Sequence, residues 1–271
     1  MTKSVITEAI EKALAEGRPA RIPFLTAGFP NRTDFFSQLV SLDDNGADII
    51  EIGLPFSDPV ADGPVVAKAS MDAVEDGVNL EWLLDGLGRL SLKAPLVLMS
   101  YANPLLQHAF ARTDPAADLR TKMFSALKMT GSRLKEAGLA GAIIPDAPLE
   151  ESSPFHEGLA AASLDYIPLV GPNTSLERMR KYSPLAGGYV YVVSVLGATG
   201  VRDDIPTEVV QTLQRAREAF SLPLALGFGL KDPSQLAGFP VQPDAVIFGS
   251  ALLKHILSGE EAGTFLKRWQ A

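Results

Sequence analysis

Short apolar runs alternate along the chain with longer stretches in which apolar residues recur every three or four positions. The runs predict strands and the recurrences predict amphipathic helices. Residues 4–16 come first, with Val5, Ala9 and Ala13 at near-helical spacing and Gly17 as a stop. Strands are then expected at 21–26 (RIPFLT), 48–53, 95–101 (PLVLMSY), 141–145 (GAIIP), 166–170 (YIPLV), 188–194 (GYVYVVS), 223–227 (PLALG) and 244–248 (DAVIF). Each is followed by helical periodicity. Thr33 or Asp34 can cap the helix that runs to Asn45. Residues 105–139 read as mostly helical, with a break near Gly131 and a stop at Gly138. Pro206 suits the first position of the helix that runs to Phe220.

Eight strands, each followed by a helix, imply a parallel sheet with right-handed crossovers. The strands are apolar almost throughout, as expected when both faces are covered. Eight such units suit a (β/α)8 barrel better than an open doubly wound sheet. No G-x-G-x-x-G follows the first strand, which also counts against a dinucleotide fold. No linker composition or charge block divides the chain. The expected fold class is therefore α/β, a single-domain (β/α)8 TIM barrel over residues 1–271 with an extra N-terminal helix.

Composition narrows the chemistry. The net charge is −8 and there is no basic run, which argues against a nucleic-acid partner. With no cysteine, disulfides, thiolate metal sites and thiol nucleophiles are excluded. His108, His156 and His255 lie far apart, so a histidine metal site is not expected. The N-terminal stretch carries acids among its apolar residues and is not a secretory signal; no uninterrupted apolar run is long enough to span a bilayer. A cytoplasmic protein with no membrane partner and no cofactor is the expectation.

One stretch concentrates the candidate chemistry: residues 48–64, DIIEIGLPFSDPVADGP. Glu51 sits inside an apolar strand, and Asp58 and Asp62 sit on a loop stiffened by Pro55, Pro59 and Pro64. A carboxylate in such a strand is costly to bury unless it is paired, protonated or used. Two readings fit these residues. In one, the strand acid and a loop acid form a general acid/base pair. In the other, the strand acid is satisfied by a neighbouring amide and the loop acids are solvated. Barrel chemistry gathers at the C-terminal ends of the strands. There the chain offers Glu51, Tyr101, Asp146, a loop with Gly197, Thr199 and Gly200, then Phe228-Gly229 and Gly249-Ser250. Glycines after the last two strands, the second opening a helix, form a phosphate-binding arrangement common in barrels; alone, each glycine only permits a tight turn. No lysine falls inside a predicted strand, which disfavours a Schiff base. Acid/base chemistry on a phosphorylated small molecule follows, with the substrate left open.

The same stretch closely resembles the signature of the α subunit of tryptophan synthase. The resemblance extends through PFLTAGFP at 23–30, YANP at 101–104, IIPDAPLEES at 143–152, GYVYVVSVLGATGVR at 188–202, GFG at 227–229 and IFGSALLK at 247–254. It implies a (β/α)8 barrel that cleaves indole-3-glycerol phosphate to indole and glyceraldehyde 3-phosphate, and that passes indole to a pyridoxal-phosphate β subunit in an α2β2 assembly. It also assigns roles. Glu51 corresponds to the acid/base at indole C3, and Asp62 to the carboxylate that holds the indole N–H. Phe24, Tyr101, Tyr191 and Phe228 match the walls of the indole pocket, and Tyr191 is further expected to position Glu51. Gly200, Gly229, Gly249 and Ser250 match the phosphate cradle, and Thr199 the residue that closes over the substrate towards Asp62. Asp48 is expected to order its own strand end. Around Asp146, a role facing the β subunit competes with a simple turn. Phe24 and Tyr191 also have a plainer reading as core aromatics. The segment between Pro104 and Gly138 is longer than is usual in the family, and Ala102 and Ala147 are smaller than the residues often found there. Two alternatives stay open: a free-standing lyase, and a non-catalytic subunit that only binds phosphate ligands.

Overall fold

The stretch Ala20–Thr26 is buried at every position, Arg21 included, as a strand covered on both faces must be. It is the first strand in a computed structural model that describes residues 3–110, 112–193, 207–227 and 233–269. The elements run α1 (Val5–Ala15), β1 (Ala20–Thr26), α2 (Phe35–Asp44), β2 (Ile50–Gly53), α3 (Pro64–Glu75), α4 (Leu80–Leu87), β3 (Leu96–Met99), α5 (Ala102–Phe110), α6 (Leu119–Glu136) and β4 (Leu139–Ile143). They continue with α7 (Ser152–Ala161), β5 (Asp165–Tyr166), β6 (Leu169–Val170), α8 (Leu176–Tyr182), β7 (Val190–Val193), α9 (Thr207–Ala219), β8 (Leu224–Gly227), β9 (Ala245–Phe248), α10 (Ser250–Leu257) and α11 (Ala262–Lys267). The strands pair in parallel in the order β5-β4-β3-β2-β1-β9-β8-β7-β6.

The two ends of that order belong together. β5 and β6 are halves of one barrel strand, the fifth. Between them the Ile167 N–H donates to the Ala142 carbonyl at 3.0 Å, and the Pro168 carbonyl accepts from the Tyr191 N–H at 3.0 Å. The sheet thus closes on itself through 167–168, and nine ladder segments make the eight strands expected. Proline has no N–H to give to a ladder. That is why the continuous strand expected over 166–170 is split.

α1 seals the N-terminal end of the barrel. The Ser4 hydroxyl caps the helix and also donates to Asp165. The Thr7 hydroxyl donates to the Gly188 carbonyl at 2.7 Å. Ile6, fully buried, packs where side chains at Gly141 and Gly188 would stand. Asp48 orders this same end, as expected. It takes two hydrogen bonds from the Arg18 guanidinium, at 2.6 and 2.9 Å, and one from the Arg21 N–H at 2.7 Å.

The segment after β3 corrects one expectation. α6 runs for 18 residues straight through Gly131. Gly131 is a packing site and not a break: a Cβ there would stand 3.1 Å from the Ala162 Cβ. Gly158 on α7 faces α6 in the same way, where a Cβ would lie 2.6 Å from the Leu127 Cβ. Two glycines let α6 and α7 approach closely. α4 ends at Leu87, followed by Gly88 at its C-cap. Among the described residues, no helix is long and apolar enough to cross a membrane. Gly158→Val should lower unfolding stability by about 1–3 kcal/mol through overpacking against Leu127. Denaturant titration checks this, and an unchanged midpoint would contradict the close α6–α7 contact.

Candidate active site

Glu51 sits in β2 between Ile50 and Ile52, with Phe24 beside it on β1 and Val97 on β3. Strand alternation turns Ile50 and Ile52 one way and Glu51 the other. Its side chain meets Tyr189, which lies across the barrel just before β7, so Glu51 points into the interior. The carboxyl is fully buried. The Tyr189 hydroxyl donates to its Oε1, and its Oε2 has no hydrogen-bond partner. Burial pushes the pKa up to about 8, although the Tyr189 hydrogen bond pulls the other way. Glu51 therefore carries its proton at neutral pH.

Asp62 stands on the loop between β2 and α3. The Tyr101 hydroxyl donates to its Oδ2 at 3.3 Å and accepts from the Ala61 N–H at 2.9 Å. Burial raises the Asp62 pKa to about 6, with the Tyr101 hydrogen bond opposing. At neutral pH most Asp62 carboxyls are ionised while Glu51 is not. The Tyr101 hydroxyl is held well above the usual phenol range, by burial first and by the Asp62 charge next. The Phe56 ring lies against Tyr101, with centroids 5.1 Å apart.

Phe24, Thr26, Gly53, Asp62, Ser70 and Tyr101 line one cleft at the C-terminal mouth of the barrel. Gly53 is required there, because a Cβ would stand 2.5 Å from the Phe24 ring. Gly227 makes the same room for Tyr191, whose hydroxyl would lie 2.5 Å from a Cβ. Burial first, then the charges of Glu51 and Asp62, raise the Tyr191 hydroxyl well above its usual range. Gly249 and Ser250 open α10 at the same mouth, and Phe24 is the nearest neighbour of a Cβ built at Gly249, at 3.8 Å. No side chain caps this helix, and the buried Ser250 Oγ has no partner. Of the remaining sequence-derived candidates, Thr199, Gly200, Phe228 and Gly229 lie outside the described residues. The Asp146 Oδ1 accepts from the Ala102 N–H at 2.9 Å, which ties the end of β4 to the start of α5.

Two residues escaped the sequence reading. The hydrogen bond to Glu51 comes from Tyr189, not from Tyr191. Both tyrosines share one face of a period-two strand, and only the stagger of the strands decides which reaches Glu51. Thr26 is 1% exposed, and its hydroxyl has no partner in the cleft. Its signal was its place two residues after Phe24 at the end of β1.

The comparisons with known proteins agree. A family profile described as "Tryptophan synthase alpha chain" matches residues 10–270. The chain belongs to the tryptophan synthase alpha chain family. The tryptophan synthase alpha chain of Nitratidesulfovibrio vulgaris (strain DP4) is 54% identical over 273 residues, with 99% of each chain covered. That of Solidesulfovibrio magneticus is 49% identical over 272 residues, with 100% of each covered. A Mycobacterium tuberculosis tryptophan synthase structure superposes with a TM-score of 0.84 at 27% identity, covering 100% of both chains. A Legionella pneumophila tryptophan synthase subunit alpha does so at 0.81 and 28% identity, covering 98% of this chain and 97% of that one. As a tryptophan synthase alpha chain, this protein is a lyase that cleaves indole-3-glycerol phosphate.

The buried acid has a consequence for stability. Glu51 ionises near 4.5 when exposed and near about 8 in the fold. Between those values the folded chain holds a proton that the unfolded chain has lost, so stability falls as pH rises through that window. Glu51→Gln lacks this loss. Its Tm relative to the parent should therefore climb steadily from about pH 5 to about pH 9, by several degrees in total. A difference that stays constant with pH would contradict the buried, protonated carboxyl.

Proposed function

We propose that Glu51 and Asp62 divide the proton transfers of the retro-aldol reaction. The observation that carries this is the contrast between two acids: Glu51, buried in the barrel interior and protonated, and Asp62, ionised beside a phenol in the cleft at the mouth. Glu51 donates its proton to indole C3, and the ring nitrogen takes up positive charge. Asp62 holds the indole N–H and stabilises that charge. The glycerol hydroxyl next to the scissile bond then gives its proton to the Glu51 carboxylate. As the carbon–carbon bond breaks, its electron pair returns to the ring and neutralises the nitrogen. Indole and glyceraldehyde 3-phosphate leave, and Glu51 is protonated again.

Tyr189 orients the Glu51 carboxyl. Phe24, Tyr101 and Tyr191, with Phe228, wall the indole ring. Gly249 and Ser250, with Gly200 and Gly229, hold the phosphate. The uncapped start of α10 supports this, because free amides at a helix N-terminus favour an anion. Thr199 closes over the substrate towards Asp62. A purely binding subunit would have no use for a buried acid held on a tyrosine, so the catalytic reading is preferred. The β subunit of tryptophan synthase is the proposed partner, in an α2β2 assembly in the cytoplasm. The loop from Pro55 to Pro59 faces that partner, and Val60 beside it leaves 79% of its surface exposed.

Glu51→Gln should lower lyase turnover by about a thousandfold while the fold is kept. Indole release measured with indole-3-glycerol phosphate checks this, and near-parental turnover would sink the mechanism. In the parent, kcat/KM should rise with pH as Asp62 ionises near about 6 and fall as Glu51 ionises near about 8. A profile flat across that range would contradict the division of roles. A Cβ at Gly249 meets nothing closer than the Phe24 ring at 3.8 Å, and Gly249→Asp sets a negative charge against the phosphate. It should raise KM about tenfold or more; an unchanged KM would remove α10 from the phosphate site.

A further inference from the structure

Asp62 rides on a loop that is fastened at two points. Tyr101 holds its far end through Ala61 and Asp62. Ser70, in the second turn of α3, holds its near end. The Ser70 hydroxyl accepts from the Phe56 N–H at 2.8 Å and donates to the Phe56 carbonyl at 3.1 Å. One hydroxyl thereby satisfies both backbone groups of one loop residue. A serine inside a helix is less favourable than alanine, and it commonly spends its hydroxyl on a carbonyl one turn back. Ser70 reaches instead to a residue 14 positions earlier. It is 4% exposed, and it lines the cleft with Asp62 and Tyr101. The residue it grips is the one whose ring packs on Tyr101. A continuous run of contacts leads from Ser70 through Phe56 and Tyr101 to Asp62.

We propose that Ser70 is a positioning residue for the lyase reaction: its hydroxyl clips Phe56, which sets the Tyr101 ring and so holds the Asp62 carboxylate where the indole nitrogen must sit. The proposal rests on the reading of Asp62 as the group that meets that nitrogen. Without the clip, the substrate still enters a cleft walled by Phe24 and Tyr101. What is lost is the placement of the carboxylate as charge develops on the ring, so the effect falls on kcat more than on KM.

Three variants of the full chain test this: Ser70→Ala, Ser70→Cys and Ser70→Thr. Indole release from indole-3-glycerol phosphate is measured together with amide hydrogen exchange over residues 54–62. In Ser70→Ala, kcat should fall roughly tenfold or more with KM changed much less, and exchange over 54–62 should rise. The acid limb of the kcat/KM profile should also move to lower pH, because a loosened loop lets water reach Asp62; the groups that face it are Tyr101 and Tyr191. Ser70→Thr keeps the hydroxyl and should restore turnover and protection. Ser70→Cys has nearly the same shape and a weaker hydrogen-bonding group, so it keeps the packing and should show the same fall. Parental turnover in Ser70→Cys, or unchanged exchange over 54–62 in both hydroxyl-free variants, overturns the proposal whatever the stability of Ser70→Ala. A parental chain without lyase activity would instead overturn the function reading.

Discussion

A carboxyl group shut away from water sets the terms for this molecule. An ionised carboxylate at the depth of Glu51 would cost several kcal/mol in lost hydration, and no cation stands beside it among the described residues to offset that cost. The group keeps its proton instead. Tyr189 satisfies one oxygen, and the other is left without a partner. With Tyr189 donating to Oε1, the acid proton falls to Oε2, and an orphaned buried polar group is a standing cost in the resting fold, one that the proton-transfer role proposed for Glu51 would explain. The barrel makes this possible. Its closed sheet surrounds the Glu51 carboxyl, and α1 is fastened across the N-terminal end through Ser4 and Thr7.

The second acid stands in a different setting. Asp62 is buried enough for its pKa to rise, yet it sits on a loop at the mouth with a phenol on one oxygen. Two carboxyls with separated pKa values can hold different protonation states at one pH, which is what distinct acid and charge-stabilising roles require. The separation is only as good as the geometry that maintains it. Ser70 and Tyr101 fasten the Asp62 loop, and Gly53 lets the edge of the Phe24 ring come close to β2. The placement of the two carboxyls depends on small residues and hydroxyls as much as on the acids themselves.

Much of this was legible in the sequence. Eight apolar runs with helical periodicity between them are enough to argue a barrel, because parallel strands covered on both faces lose their alternation. Glu51 stood out for the same reason, as an acid where only apolar residues belong. Asp48 was correctly separated from it, since it opens its strand and ends up on Arg18 and the Arg21 amide. The failures share a cause. Gly131 reads as a helix breaker until α7 is packed against it. Pro168 splits the fifth strand only because of the ladder bonds it cannot make. Tyr189 and Tyr191 are indistinguishable until the stagger of the strands selects one. Each depends on a neighbour distant in the chain, and no local pattern encodes that neighbour.

Glu51 is a neutral acid in the resting fold, and its carboxyl carbon can be observed directly. In protein labelled with carbon-13 at the glutamate side-chain carboxyls, the Glu51 resonance is assigned by its loss in Glu51→Gln. A titration midpoint of about 8 is expected in the free chain. A midpoint near the ordinary glutamate value of about 4.3 would contradict it.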